Sequence, residues 1–152
     1  VLDGTEVVYV HRVAKRSILA PGTSMVGMRL PAYVSSMGRV LLAGMEETVW
    51  QEYLSTVELK PLTSQTLRTR GALDEEVRKV RKLGYAIVID ELEQGLSAIA
   101  VPVMDGRGRV VAAMNVSRNS GTGARQQLVS KSLPLLRRAA QRVTASLAVQ
   151  PL

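Results

Sequence analysis

The feature that most constrains this chain is a hairpin signal in its second half. Two apolar, β-branched runs at 96–103 and 110–116 flank Asp105-Gly106-Arg107-Gly108. Asp-Gly marks a turn because glycine tolerates positive φ, and short β-branched runs fit strands. A third run at 85–89 precedes them, so the pattern predicts three strands with the hairpin at the centre of the sheet. In its last strand the apolar pattern breaks at Asn115 and Ser117. Two residues apart, these side chains share one face. Polar groups there either satisfy backbone groups or face a ligand.

The rest of the chain supplies helices to cover such a sheet. Residues 35–43 predict a short helix with Ser35 or Ser36 as N-cap and Val40, Leu41 and Leu42 buried. Gly38 in its first turn costs stability relative to Ala, which suggests that something approaches the backbone there. The start of that helix, with unpaired N–H groups and a positive dipole end, suits a carboxylate or phosphate. The plainer reading is a capped helix with a glycine for tight packing. A second helix is expected at 46–54, with Trp50 and Tyr53 turned inward. A third is expected at 69–83, capped near Thr69, with Leu73, Val77 and Val80 as its apolar stripe and Gly84 as its stop. Asp74/Arg78 and Glu75/Lys79 are spaced to pair along it. Residues 124–149 predict a long helix with Leu128, Leu135, Leu136, Ala139, Val143 and Leu147 inward and a kink or break at Pro134.

Near the N-terminus, residues 5–13 and 17–25 read as strands and Gly27–Pro31 as a connection. The resulting order, β-β-α-α-α-β-β-β-α, predicts an α+β fold with helices against an antiparallel sheet.

Composition narrows the function. The 152 residues are 46% hydrophobic and 22% charged, which suits one globular domain. There is no cysteine and one histidine, His11, so thiolate chemistry, disulfides and a His/Cys metal site are not expected. No apolar run reaches the roughly 20 residues of a membrane span, and the expected compartment is the cytoplasm. A net charge of +7 invites a nucleic-acid reading, but the basic residues are dispersed and aromatics are only 3%, which favours solvated helix faces. No phosphate loop, nucleophile elbow or metal spacing is present, and no catalytic residues are assigned. Asp90, Glu91 and Glu93 form a carboxylate cluster that reads most simply as a polar turn.

Several segments together carry a resemblance. GMRLPAYVSSMGRVLLA, KLGYAIVIDELEQGLSAIAVPVMDGRGRVVAAMNVS and SLPLLRRAAQRVTASL, with VLDGTEVVYVHRV as an entry strand, resemble the effector-binding domain of IclR-type bacterial transcription regulators. The branch most similar is that controlling aromatic-acid catabolism. The resemblance implies a curved antiparallel sheet flanked by helices, similar to GAF and PAS-like sensors. It implies a homodimer or homotetramer that binds a small organic acid, aromatic or keto. Some members bind metal in this domain, but the absence of cysteine and the lone His11 argue against it here, and no cofactor is expected. DNA would be bound only through an upstream winged helix-turn-helix, absent from this chain. Carried onto this sequence, the effector site comprises Ser36, Met37 and Gly38 at the helix start and Leu96, Ala98, Asn115 and Ser117 on the sheet. The family's acidic position falls on Asp90 or, in the other register, Ile89. Arg29 and Arg16 are possible partners for an organic acid. Two other readings remain open: an enzyme acting on a small carboxylate through Asp90 or Glu93, and an oligomerisation module without ligand.

Overall fold

The computed structural model describes residues 1–13 and 26–148. In chain order the elements are β1 (Leu2–Asp3), β2 (Glu6–Val8), β3 (Arg29–Pro31), a 3-10 turn (Ala32–Val34), α1 (Ser36–Ala43), α2 (Glu47–Thr56) and α3 (Arg70–Leu83). Then follow β4 (Ala86–Ile89), β5 (Leu96–Met104), β6 (Val110–Asn119), α4 (Ala124–Gln127), a π-turn (Leu128–Ser132) and α5 (Leu133–Ala148). The α+β expectation holds. Among the described residues the strands form two three-stranded antiparallel sheets, ordered β1-β2-β3 and β4-β5-β6.

The predicted hairpin forms, with β5 at the centre of its sheet and β6 on its edge. Asp105 organises the turn: its carboxylate accepts from the amides of Arg107 and Arg109 at 2.9 Å each. The ladder slips by one residue at Val103/Met104. Both faces of β5 are covered, which explains its unbroken apolar run. Ile99, Val101 and Val103 meet Leu128, Leu133, Leu136 and Ala140 on one side. Ala86 and Ala100 pack on the other side with the cluster that includes Val40, Leu41, Trp50, Leu73 and Val77. The α5-facing side is therefore β-branched and the α1-facing side is rich in alanine.

Two N-terminal and two C-terminal expectations are corrected. Pairing in β2 spans only Glu6–Val8, because the chain folds back at Gly4-Thr5 to add β1. Backbone bonds continue one step further, from Tyr9 N to Met28 O at 3.0 Å. Arg29–Pro31 is a strand rather than a connection. The proline keeps Leu30 extended, and β2 offers it an edge. The predicted strand at 17–25 lies outside the described residues. At the other end, the long helix is interrupted as expected, but not at Pro134 itself, which sits in the first turn of α5. The irregularity falls one turn earlier, as the π-turn, which widens the helix where the proline ring would meet the carbonyl four residues back. That turn inserts one residue into the helical count. The buried stripe after Leu128 is therefore Leu133, Leu136 and Ala140, while Leu135 is 67% exposed and Val143 and Leu147 are exposed as well.

The other helices follow their signals. Ser35 caps α1 by accepting from the Gly38 amide at 2.9 Å, and Thr69 caps α3 by accepting from that of Ala72. Trp50 and Tyr53 are buried, as are Leu73, Val77 and Val80. Asp74 pairs with Arg78 at 2.9 Å and accepts from Trp50 Nε1 at 2.8 Å, tying α3 to α2. Lys79 reaches Glu76 rather than Glu75. Arg81 closes the far end of α1, donating to the carbonyls of Ala43 and Met45.

Two backbone positions hold this arrangement. A Cβ on Gly38 would sit 2.0 Å from the carbonyl oxygen of Ala32, so the first turn of α1 lies directly on the preceding 3-10 turn. Asp90 begins the β4–β5 loop at φ 57, the one non-glycine positive φ among the described residues. Its carboxylate stabilises that conformation, accepting from the Gly95 amide at 2.7 Å and from the Ser120 hydroxyl.

Gly38→Ala is expected to lower the free energy of unfolding by about 3 kcal/mol, because backbone is the obstacle and cannot rotate away. Asp90→Ala is expected to cost about 2 kcal/mol, while Asp90→Asn, which keeps an acceptor and tolerates the left-handed region, costs less than about 1 kcal/mol. Urea unfolding of the three variants measures both.

Candidate functional site

The alanine-rich face of the second sheet leaves space where α1 does not fill it. A cavity of about 310 Å³ opens between the start of α1, the β4–β5 loop, the sheet face and the N-terminal strands. Its walls are mostly apolar: Met28, Leu30, Val34, Met37, Val88, Leu92, Leu96 and Ala98. The polar lining consists of Tyr9, Ser35, Ser36, Glu93, Asn115 and Ser117. Few polar groups set in an apolar wall is the usual constitution of a small-molecule site, and the volume lies at the low end of the ~300–1,000 Å³ range for such sites.

Register places the sheet's polar groups. Ser117 lies opposite Ala98 and Asn115 opposite Ala100, so their side chains project with the alanines onto the α1 side. Asn115 Nδ2 donates to Ser117 Oγ at 3.2 Å, confirming the shared face. Tyr9 stands beside them. Burial pushes its phenol up, while the Arg12 charge and a hydrogen bond with Asn115 act in the opposite direction. The phenol is therefore neutral, and a donor, throughout the physiological range.

At the helix end, the Ser35 side chain consumes the Gly38 amide and the Arg39 amide bonds to Ser35 O. The amides of Ser36 and Met37 precede the helical ladder and carry the positive end of the dipole. Among the described lining residues the only charged side chain is that of Glu93, which is exposed. The other polar side chains of the described lining are hydroxyls and one amide.

The expected residues divide clearly. Ser36, Met37, Leu96, Ala98, Asn115 and Ser117 are brought together around the cavity. Gly38 is not in its wall: what approaches it is the chain's own Ala32 backbone. Asp90 is not in the wall either, its carboxylate being engaged with Gly95 and Ser120. Arg29 is drawn away by ion pairs with Asp3 at 2.8 Å and Glu6 at 2.7 Å. Arg16 lies outside the described residues. Tyr9, Met28, Leu30, Val34, Val88 and Leu92 were not singled out by sequence as site residues. The alternation Val7, Tyr9 was a usable signal for one of them, since residues two apart on a strand share a face. Met28 and Leu30 arrive only through the pairing of β3 with β2, which no local pattern announces.

Among the described residues no group of three or more His, Cys, Asp and Glu side chains converges as a metal site. Among them, too, no helix is long and apolar enough to cross a membrane.

Comparison with known proteins places this geometry. The Pca regulon regulatory protein of Pseudomonas putida is 44% identical over 135 residues, covering 89% of this chain and 46% of that protein. The p-hydroxybenzoate hydroxylase transcriptional activator of Acinetobacter baylyi is 37% identical over 144 residues, covering 92% of this chain and 53% of that protein. The chain thus spans about half the length of these relatives. Among solved structures, the inducer-binding domain of a PobR double mutant from Acinetobacter, in complex with 3-hydroxybenzoic acid, superposes with a TM-score of 0.84. It is 34% identical, over 95% of this chain and 84% of that one. Thermotoga maritima IclR superposes with a TM-score of 0.87 at 33% identity, over 97% of this chain and 59% of that one. Residues 1–145 match the family described as bacterial transcriptional regulator IclR, C-terminal. The chain therefore belongs to the IclR family of bacterial transcriptional regulators and corresponds to their C-terminal domain.

Proposed function

We propose that this domain senses a small organic acid, with a single-ring aromatic carboxylate as its best-fitting class, on behalf of a DNA-binding transcription regulator. The observation that carries the reading is the cavity between the start of α1 and the Asn115/Ser117 face. It joins apolar walls that suit a ring to two kinds of polar group at different places. The carboxylate is received by the Ser36 and Met37 amides, where the helix dipole favours negative charge. Ring substituents meet the hydroxyl and amide groups of Tyr9, Asn115 and Ser117, with Asn115 bonded to Ser117 and beside Tyr9. The names of the relatives, regulators of the Pca regulon and of p-hydroxybenzoate hydroxylase, support the same class.

In this reading a winged helix-turn-helix segment of the longer regulator binds DNA, and the present domain also joins copies into a dimer or tetramer. The acid acts by preferring one arrangement of α1 against the sheet, since a ligand shifts an equilibrium only through unequal affinity for the two states. Its role is recognition rather than turnover. The Asp90 carboxylate is engaged in its loop and Glu93 is exposed. A module that served assembly alone would have no reason to keep this sheet face unfilled.

The reading is tested with 3-hydroxybenzoate, 4-hydroxybenzoate, protocatechuate and β-ketoadipate. One of these at about 100 times its Kd is expected to add about 2.7 kcal/mol of stability. That corresponds to a melting temperature raised by about 5 to 10 °C for a domain of this size. Ser117→Ala is expected to weaken that acid by about 3- to 10-fold. Asn115→Asp, which sets a like charge beside the bound anion, weakens it by more than about tenfold. An unchanged melting temperature with all four acids would overturn the proposal.

A further inference from the structure

The cavity has two walls that no strand pairing joins directly: the first turn of α1, and the β4–β5 loop that brings Leu92 and Glu93. Leu92 packs against the cluster that includes Met37, and among the described residues one ion pair spans the two walls. Arg39, the only charged residue of α1, is 1% exposed and forks onto Glu91, whose side chain is 12% exposed. Arg39 Nη1 donates to Glu91 Oε1 at 2.9 Å and Nη2 donates to Oε2. Arg39 Nε donates to the carbonyl of Tyr33, fixing the guanidinium to the 3-10 turn that also supports Gly38.

Burying this pair contributes little to stability on balance, because desolvation of two charges offsets most of their attraction. A bidentate fork does something else: it accepts one geometry and so sets a distance. The loop it holds has few alternatives. Asp90 is left-handed and Ser120 holds the loop's two ends through the Asp90 carboxylate and Gly95 O, while Thr63 and Thr66 anchor it further, their hydroxyls donating to the carbonyls of Asp90 and Glu91. Those threonines tie the loop to the α2–α3 connection. Among the described residues the Arg39–Glu91 fork is the polar side-chain tie from the loop to α1, whose start lines the cavity.

We infer that the Arg39–Glu91 pair positions the β4–β5 loop as a lid on the cavity and thereby sets the affinity for the bound acid. Neither residue touches the cavity, so both are positioning residues. The affinity part rests on the effector reading above; the positioning of the loop does not.

The test uses Arg39→Met/Glu91→Met, which replaces the pair by apolar side chains and spares either charge from being buried alone. It also uses Arg39→Lys, which keeps the charge and loses the fork. Two quantities are read: hydrogen exchange at the amides of Gly95 and Leu96, which close the loop onto Asp90 and Glu93, and calorimetric binding of whichever of 3-hydroxybenzoate, 4-hydroxybenzoate, protocatechuate and β-ketoadipate most raises the melting temperature of the parent. The double variant is expected to melt within a few degrees of the parent, exchange both amides at least tenfold faster, and bind at least tenfold more weakly. The lysine variant is expected to shift both readouts in the same direction, by several-fold. Parental exchange at Gly95 and Leu96 in the folded variants overturns the inference. So does faster exchange with parental affinity. Should the parent bind no acid at all, the effector reading falls, and the exchange rates still decide whether the pair holds the loop.

Discussion

The contact between Gly38 and the Ala32 backbone is the constraint on which most of this domain depends. With no side chain at Gly38, α1 settles onto the turn that feeds it, and its first residues are held at a fixed height above the sheet. Ser35 can then cap the helix from within the core, leaving the Ser36 and Met37 amides at the cavity. The same seating brings Arg39 beside Tyr33 O and within reach of Glu91. A methyl group in place of that hydrogen would displace the cap, the amides and the ion pair together.

The second constraint is the unequal composition of the two faces of β5. Packing wants matched volumes, and proteins fill their interiors to crystalline density. On the α5 side, Ile99, Val101 and Val103 provide bulk and the helix beds down fully. On the α1 side, Ala98 and Ala100 provide little. Where α1 runs close, that smallness is used up by backbone approach. Beyond the start of α1 nothing of the described chain replaces the missing volume, and the cavity remains. Asn115 and Ser117 lie on this side because their cross-strand partners are those alanines. Their polarity would be costly against a dry core and is tolerated beside an opening.

In the proposed reading, recognition relies on neutral donors: the described lining carries no cation, and helix amides, the Tyr9 and Ser117 hydroxyls and the Asn115 amide would hold an acid in an apolar surround. Neutral donors of this kind are directional, and their strength rises as water is excluded. That makes the loop over the cavity as relevant to affinity as the groups inside it.

Much of this was legible from residues alone. The Asp105-Gly106 hairpin, the capped helices beginning near Ser35 and Thr69, the stripe Leu73, Val77 and Val80, and the shared face of Asn115 and Ser117 follow from local rules: turn chemistry, capping and side-chain periodicity. These depend on neighbours within a few residues, so sequence alone determines them. The burial of α5 departs from simple helical periodicity because one extra residue in the π-turn rotates everything after Leu128, and Pro134 signals an irregularity without fixing its form. Gly38, Asp90 and Arg29 could be selected as polar or unusual, but whether each faces a ligand depends on partners 6, 30 and 26 residues away: Ala32, Ser120 and Asp3. Glu91 reads as loop polarity until Arg39, 52 residues earlier, is folded against it. Sequence by itself determined the β4–β6 strands, the capped helices and the face that Asn115 and Ser117 share. Only the tertiary structure decided which polar groups were already occupied and where volume was left over, because both are differences between surfaces that meet only after the chain has closed.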